Sequence, residues 1–344
     1  METDREKHGL KGSVKSVLVE TLKFEEQDGQ VTEKPWFSHA LIFNEEGLLT
    51  EETNRGPDGS ESRTVSEYSD SHKLLTTKIY EHSGALVRDT KYIYDDEDRL
   101  VAEQLITRDG TVTTPFTYAY EVGGVKTKIQ ELDFAEDANL MIGIDETMTM
   151  IQAHQAKRIE TRHDDHDKVV EVKVFNTTGS IVSRIEMRRD AQGKPLEEIQ
   201  YNGDVVPFGT CASGSCSTEE MESLTEEQKA EFAAAIAQMF APGTVMSRRT
   251  FQYDVEGRLI ESNLTMMGME IGRQTFAYDA AGNKSEEVNY NAEGSLAGKA
   301  IFTRDYDEHG NWTKELLSTA SSWDAEFKLS TPTQLTRRTI TYYT

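Results

Sequence analysis

Cysteine is scarce in this chain of 344 residues, which contains only two. Cys211 and Cys216 bracket a short Gly/Ser loop. A disulfide between them would favour an oxidising compartment, because such bridges persist mainly outside the cytosol. The alternative is a pair of free surface thiols, since a bridge requires a Cα separation that spacing alone does not establish. Two cysteines exclude a disulfide-rich framework.

Long apolar runs are also missing. No segment approaches the 18 apolar residues that a membrane-spanning helix needs, and residues 1–8 lack the apolar stretch of a signal peptide. We therefore expect no membrane span. A leader that had been removed and replaced by Met1 would leave the same start, so this absence is weak evidence for the cytoplasm.

Basic residues are few relative to acidic ones. The 37 Lys and Arg face 61 Asp and Glu, which gives a formal net charge of −24. Such a chain repels a polyphosphate backbone and has no basic stripe that could release counterions. Nucleic acid and anionic membrane surfaces are therefore excluded as expected partners.

A short turn motif recurs along most of the chain. In its full form an aromatic residue is followed by Asp and, three residues later, by Gly. Full or partial copies are aligned at positions 43, 68, 94, 120, 163, 189, 253, 278 and 306, and those at 163 and 189 are degenerate. Regular stretches repeat every 25–28 residues, a period that marks a repeat architecture. The clearest turn residues are Tyr94 and Asp95; Tyr253, Asp254 and Gly257; Tyr278, Asp279 and Gly282; and Tyr306, Asp307 and Gly310.

The residues around each motif predict β-hairpins. Apolar residues occupy every second position before the turn, as in Phe276 and Tyr278, which is the period of a strand. The Asp can accept backbone N–H bonds and the Gly can take a positive φ, both of which suit a hairpin turn. A second set of Gly turns lies halfway between. We predict an all-β fold, one long, curved or curled antiparallel sheet of about eighteen strands, two for each turn.

The motif and its spacing resemble the YD repeat of the RHS family of bacterial proteins over roughly residues 38–315 plus a closing strand at 337–343. The resemblance implies a spiralling β-sheet that can curl into a hollow shell, with carbohydrate binding or enclosure of a toxic cargo as family roles. This chain is short, lacks the autocleavage segment of toxin-type members and carries no cargo domain after the last strand, which argues against a cargo shell.

Two insertions interrupt the repeat, at about 136–154 and 205–243. Each falls where a Gly turn is due, so both are expected to leave the same edge of the sheet. We predict an N-terminal tail at residues 1–12 and a single repeat domain at 13–344 that carries both insertions.

The second insertion contains a predicted helix at about 226–240. Thr225 is a suitable N-cap with Gln228 three residues later, and the helix ends before Pro242 and Gly243. Its apolar face either packs on the sheet or forms one wall of a ligand cleft, with the first insertion as the other wall. The candidate binding residues are Met141, Met148, Met150, Phe232, Ile236, Met239 and Phe240.

No catalytic, metal or cofactor signature stands out. Residues 163–167 (His-Asp-Asp-His-Asp) match no zinc spacing and occupy a turn position, where polar residues are expected. Acidic pairs are too abundant to single out a glycosidase pair. We therefore expect no catalytic residues, no metal and no cofactor.

The expected function is a non-enzymatic, extracytoplasmic binding or scaffold protein whose partner is a glycan or another protein. Repeated aromatic residues could stack on sugar rings, although cross-strand packing explains the same rows. Two alternatives are a hydrolase with a site at the edge that carries the insertions, and a toxin-associated shell or immunity protein.

Overall fold

A computed structural model describes residues 3–27, 30–121, 123–132, 138–144, 147–153, 155–204, 241–321 and 332–344, with residues 225, 227, 228, 231, 234 and 238 between them. Its complete elements are one short helix and 22 strands. None of the described helices has the length and apolar content needed to cross a membrane. The elements are α1 (Asp4–Lys7), β1 (Val14–Gln27), β2 (Gln30–Phe43), β3 (Leu49–Arg55), β4 (Glu61–Tyr68), β5 (Leu74–Glu81), β6 (Leu86–Tyr94), β7 (Leu100–Thr107), β8 (Val112–Tyr120), β9 (Lys126–Glu131), β10 (Ala138–Ile144), β11 (Thr147–Ala153), β12 (Ala156–His163), β13 (Val169–Asn176), β14 (Ile181–Arg189), β15 (Pro195–Asn202), β16 (Val245–Tyr253), β17 (Leu259–Met266), β18 (Met269–Tyr278), β19 (Lys284–Asn291), β20 (Leu296–Tyr306), β21 (Trp312–Ser321) and β22 (Gln334–Tyr342).

The chain forms two compact units. Unit 1 comprises Met1–Thr114 and Arg273–Thr344, and unit 2 comprises Pro115–Gly272. In unit 1 the antiparallel strand order is β19-β20-β21-β22-β1-β2-β3-β4-β5-β6-β7, so that the first strand pairs with the last. In unit 2 the order is β8-β9-β12-β13-β14-β15-β16-β17, and β10 pairs with β11 as a separate hairpin.

The all-β antiparallel prediction is confirmed. The nine aligned turns account for eighteen of the described strands. The other four are β1, β22 and the pair β10–β11. The estimate of about eighteen strands is therefore too low, because it counts only strands that flank a recognisable turn.

The turn motif is held by one carboxylate. Asp279 Oδ1 accepts hydrogen bonds from the backbone N–H groups of Ala281 (3.0 Å) and Asn283 (2.9 Å), and Gly282 lies in the left-handed region at φ 86°. The same pattern occurs at Asp307, whose Oδ1 accepts from the N–H groups of residues 309 and 311. The turn thus requires a side-chain acceptor at the Asp position and a positive φ at the Gly position, which Asp98 supplies in the copy at position 94 (φ 66°).

The tyrosine of the motif ties one turn to the preceding one. Tyr306 donates its hydroxyl proton to Asp279 Oδ2, one repeat earlier. Tyr342 does the same to Asp307. In the degenerate copy at position 189, the Arg189 guanidinium reaches back to the Val169 carbonyl (2.9 Å), as the Tyr94 hydroxyl does to that of Leu74 (2.9 Å). Adjacent repeats are therefore cross-linked by side chains at their turn ends.

Replacing Tyr306 by Phe is expected to lower the free energy of unfolding by about 1–2 kcal/mol, because Asp279 loses a donor. Burial alone raises the pKa of Asp279, but the Tyr306 hydroxyl and backbone N–H groups hold it below its usual value. Its contribution to stability is therefore present above about pH 4 and is lost as the pH falls. Acid unfolding monitored by circular dichroism should begin at higher pH in the variant.

Tyr290→Phe is the matched control for this change, because the Tyr290 hydroxyl has no hydrogen-bond partner among the described residues. Equal destabilisation by both substitutions would show that the hydroxyl bond to Asp279 contributes nothing.

Each unit has its own apolar core. In unit 2, the main cluster of buried apolar side chains comes from β12–β14 and β16, with Leu132 and with Ile144 of β10 packed among them. In unit 1, the main cluster is Leu10, Val14, Val17, Leu41 and Phe43. The stability of the fold thus depends on the burial of a small number of apolar side chains.

The predicted tail at residues 1–12 contains α1 and packs on the turn ends of unit 1. Asp4 Oδ2 accepts hydrogen bonds from the Leu49 N–H (3.0 Å) and the Tyr68 hydroxyl (3.0 Å). Further along, the Lys11 N–H donates to Asn311 Oδ1 (2.7 Å). This segment therefore covers the core of unit 1 at the end where the Tyr-Asp turns lie.

Candidate binding surface

The first insertion forms the hairpin β10–β11 and packs on the sheet of unit 2. Ile144 is 1% exposed, and Ile142 lies against the same core. Met141 alternates with these residues along the strand and is 56% exposed. The backbones of Met148 and Met150 lie in β11, but their side chains are outside the described residues. The inner face of this insertion is therefore core, and only Met141 of the predicted residues is shown at the surface.

A buried hydrogen bond anchors this hairpin. The Thr149 hydroxyl donates to Glu198 Oε1 at 2.5 Å, and both residues are buried. Glu198 lies on β15, on the face that also carries Met187 of β14. The carboxyl group is thus used to hold the insertion in place.

The second insertion lies largely outside the described residues. Residues 227, 228, 231, 234 and 238 are helical, and Thr225 and Gln228 exchange the two hydrogen bonds of a capping box (2.9 and 3.2 Å). The helix as a whole stays a prediction. The residues of its predicted apolar face lie outside the described residues; they are Phe232, Ile236, Met239 and Phe240. The two cysteines, Cys211 and Cys216, also lie outside them.

The acidic and histidine-containing turn at 163–167 follows the geometry of the other turns. The carboxylate and ring atoms of Asp164, Asp165 and His166 lie within 4.8 Å of one another. Asp164 Oδ1 already accepts from the N–H groups of His166 (3.0 Å) and Lys168 (2.9 Å). The hydrogen bonds of the turn are therefore sufficient to explain why an Asp stands at position 164.

One hairpin extends beyond its neighbours. β1 and β2 have 14 residues each and pair as far as Gln27 and Gln30. The ladder between β22 and β1 stops at Lys23, and the ladder between β3 and β2 stops at Ser38. We call residues 24–27 and 30–37 the distal hairpin. Among the described residues, its strands form a ladder only with each other, apart from a bond from the Phe24 N–H to the Thr333 carbonyl (3.2 Å).

The distal hairpin exposes large apolar side chains. Val31 is 54%, Trp36 44% and Phe37 38% exposed. The register shifts opposite Thr21 and Leu22, which leaves Trp36 as the extra residue of a β-bulge. A bulge re-aims side chains and is common next to functional sites. Pro35 lacks an N–H and fits here because no described strand pairs with the outer side of β2 at this point.

Many aromatic rings of the sheet are covered by a cation. The Lys23 ammonium lies 3.3 Å from the centre of the Trp36 ring. Similar contacts, within 4.5 Å, occur at Phe116, Phe175, Tyr201, Tyr290 and Trp312. One face of each ring is thus used within the protein, and fewer faces remain for stacking on sugars.

The distal hairpin was not among the residues predicted from sequence. The signal was present as a count: 14 residues separate Gly29 from Phe43, whereas ten separate Gly84 from Tyr94. The larger spacing before Phe43 indicates that this hairpin is longer than the others. The two insertions were recognised from larger spacings in the same way.

Comparisons with known proteins show limited similarity. No protein-family profile and no curated protein matches the chain. Crystal structures of TcdB2-TccC3 and of TcdB2-TccC3-Cdc42 are both 12% identical to it, with TM-scores of 0.39 and 0.38. Each alignment covers 88% of this chain but only 15% of the other one. A porin-like protein from Bacteroides uniformis ATCC 8492 is also 12% identical, with coverage of 95% and 96% and a TM-score of 0.33.

These similarities are too weak to assign a family or an activity. The chain spans about 15% of the length of the TcdB2-TccC3 chains that it matches. Membership of the YD-repeat family therefore stays a prediction, which rests on the turn motif and its hydrogen bonds.

Proposed function

We propose that this chain is a non-enzymatic binding or scaffold protein that binds a protein partner through the distal hairpin. The observation that carries the proposal is the exposure of Trp36 and Phe37 on a hairpin that extends past its neighbouring strands. Exposed aromatic residues of this kind commonly anchor protein interfaces. We further propose an extracytoplasmic location, as the YD-repeat resemblance implies.

Two properties of the hairpin support a protein partner over a glycan. Its strand edges present backbone groups to which another polypeptide can add. The ring of Trp36 already carries the Lys23 ammonium on one face, so a sugar would have to compete with this contact or use the other face.

A photo-crosslinking amino acid placed at Val31 should capture a discrete partner protein in an extract of the source organism. The same group at Val255, which is 98% exposed in a turn of unit 2, is the control and should give no such product. Trp36→Ser should weaken binding of the captured partner about 30-fold, equivalent to about 2 kcal/mol. Leu18→Ser, at a similarly exposed position near the base of the same hairpin, should leave the affinity nearly unchanged.

Other outcomes would favour the other hypotheses. Glycan-array binding without a crosslinked protein would assign the partner to carbohydrates. Turnover of a panel of glycoside and ester substrates would favour the hydrolase hypothesis and contradict a non-enzymatic role.

A further inference from the structure

Two arginines lie on one face of strands β20–β22 in unit 1. Arg304 is paired in register with Glu315, and Glu315 with Thr336. Arg338 is two residues beyond Thr336 and therefore projects from the same face. The cluster thus combines two guanidinium groups with one intervening carboxylate.

Arg304 is the structural member of the pair. Its side chain is only 9% exposed, and its Nη2 lies 2.5 Å from Glu315 Oε2. Its Nη1 donates to the Lys284 carbonyl and lies 3.9 Å from Asp279 Oδ2. Two acidic side chains therefore compensate the charge of Arg304.

Arg338 has no direct partner of this kind. Its guanidinium stacks on the Trp312 ring at 3.4 Å from the ring centre. Among the described residues it forms no hydrogen bond or ion pair, and its buried Nε has no partner. Burial lowers the pKa of Arg338 to about 10, with the charge of Glu315 opposing the shift and Arg304 adding to it. The group stays charged at neutral pH, so a partly buried cation has a carboxylate in its surroundings but none in direct contact.

We propose that Arg338, stacked on Trp312, forms a binding site for a carboxylate, either on a small organic acid or on an acidic polypeptide. The guanidinium fork matches the two oxygens of a carboxylate, and Trp312 fixes the plane of the fork. The ligand would supply Arg338 with a carboxylate in direct contact and satisfy its free N–H groups. The site is independent of the distal hairpin, so either proposal can fail alone.

Isothermal titration calorimetry of the full chain tests this site with two probes, succinate and a capped hexaglutamate peptide. Arg338→Met should reduce the affinity at least about tenfold. Arg337→Met is the matched control, because Arg337 is the next residue on β22, is about half exposed and pairs with Glu33 (3.1 Å). It should change the affinity by no more than about twofold, as expected for a surface ion pair.

Arg338→Lys keeps the charge without the planar fork and should bind with intermediate affinity. It also provides a test if Arg338→Met does not fold. Binding of succinate would identify free acids as sufficient ligands, and binding of the peptide alone would identify a polypeptide source. The assignment is overturned if neither probe binds, if both arginine-to-methionine variants lose the same affinity, or if inorganic phosphate competes as well as succinate.

Discussion

Replacing Phe43 by alanine is expected to lower the free energy of unfolding by about 3–5 kcal/mol, the usual cost of emptying a large aromatic site in a core. Phe43 is 1% exposed and packs with Leu10, Val14 and Leu41 in the core of unit 1. Because that cluster has five buried members among the described residues, few neighbours can move to fill the cavity.

Urea unfolding followed by tryptophan fluorescence and circular dichroism would measure this change. Ile42→Ala is the matched control, since Ile42 precedes Phe43 on β2, projects from the other face and is 39% exposed. Its expected cost is below about 1 kcal/mol. Similar losses for the two variants would show that the end of unit 1 covered by α1 is not a specific core.

Replacing Thr149 by valine should lower the free energy of unfolding by about 1.5–3 kcal/mol, the range for loss of a hydrogen bond to a charged group. The substitution preserves shape but removes the donor that contacts Glu198 in the interior of unit 2. The β10–β11 hairpin should then separate more readily from the sheet, and its amide hydrogens should exchange faster.

A double-mutant cycle with Glu198→Leu, which removes the acceptor, would isolate this contact. Thr149→Val should cost clearly less in a chain that already carries Glu198→Leu than in the original chain. Met141→Ala, on the exposed side of the same hairpin, should change neither stability nor exchange. A cost that is the same in both backgrounds would contradict an anchoring role for the pair.

The strands of the repeat could be predicted from sequence because the residues of each turn determine its conformation locally. The side-chain oxygen that accepts backbone N–H groups and the residue with positive φ are local requirements. Asp and Gly, or replacements such as Asn44 and Asp98, therefore recur at the turns. The β10–β11 hairpin and α1 have no such repeated marker. Their positions depend on contacts with residues that are distant in sequence, such as Glu198 and Leu49.

The candidate sites were harder to predict for the same reason. Trp36 and Phe37 become exposed because the neighbouring ladders stop short of them, which is a property of β3 and β22. Arg338 and Trp312 meet only through the register of β21 with β22. The hydrophobic pattern of the sequence predicts which residues of a strand share a face. It does not predict the register in which two strands pair.

The pairing of β1 with β22 also constrains how the protein is made. The hydroxyls of Ser16 and Thr341 lie 2.7 Å apart although 325 residues separate them in sequence. At usual rates of translation, β1 waits roughly 15–65 s for β22 to be synthesised. During that interval one edge of β1 is uncovered and can pair with another nascent chain. We therefore expect the yield of folded protein to depend on how quickly this last, long-range pairing forms.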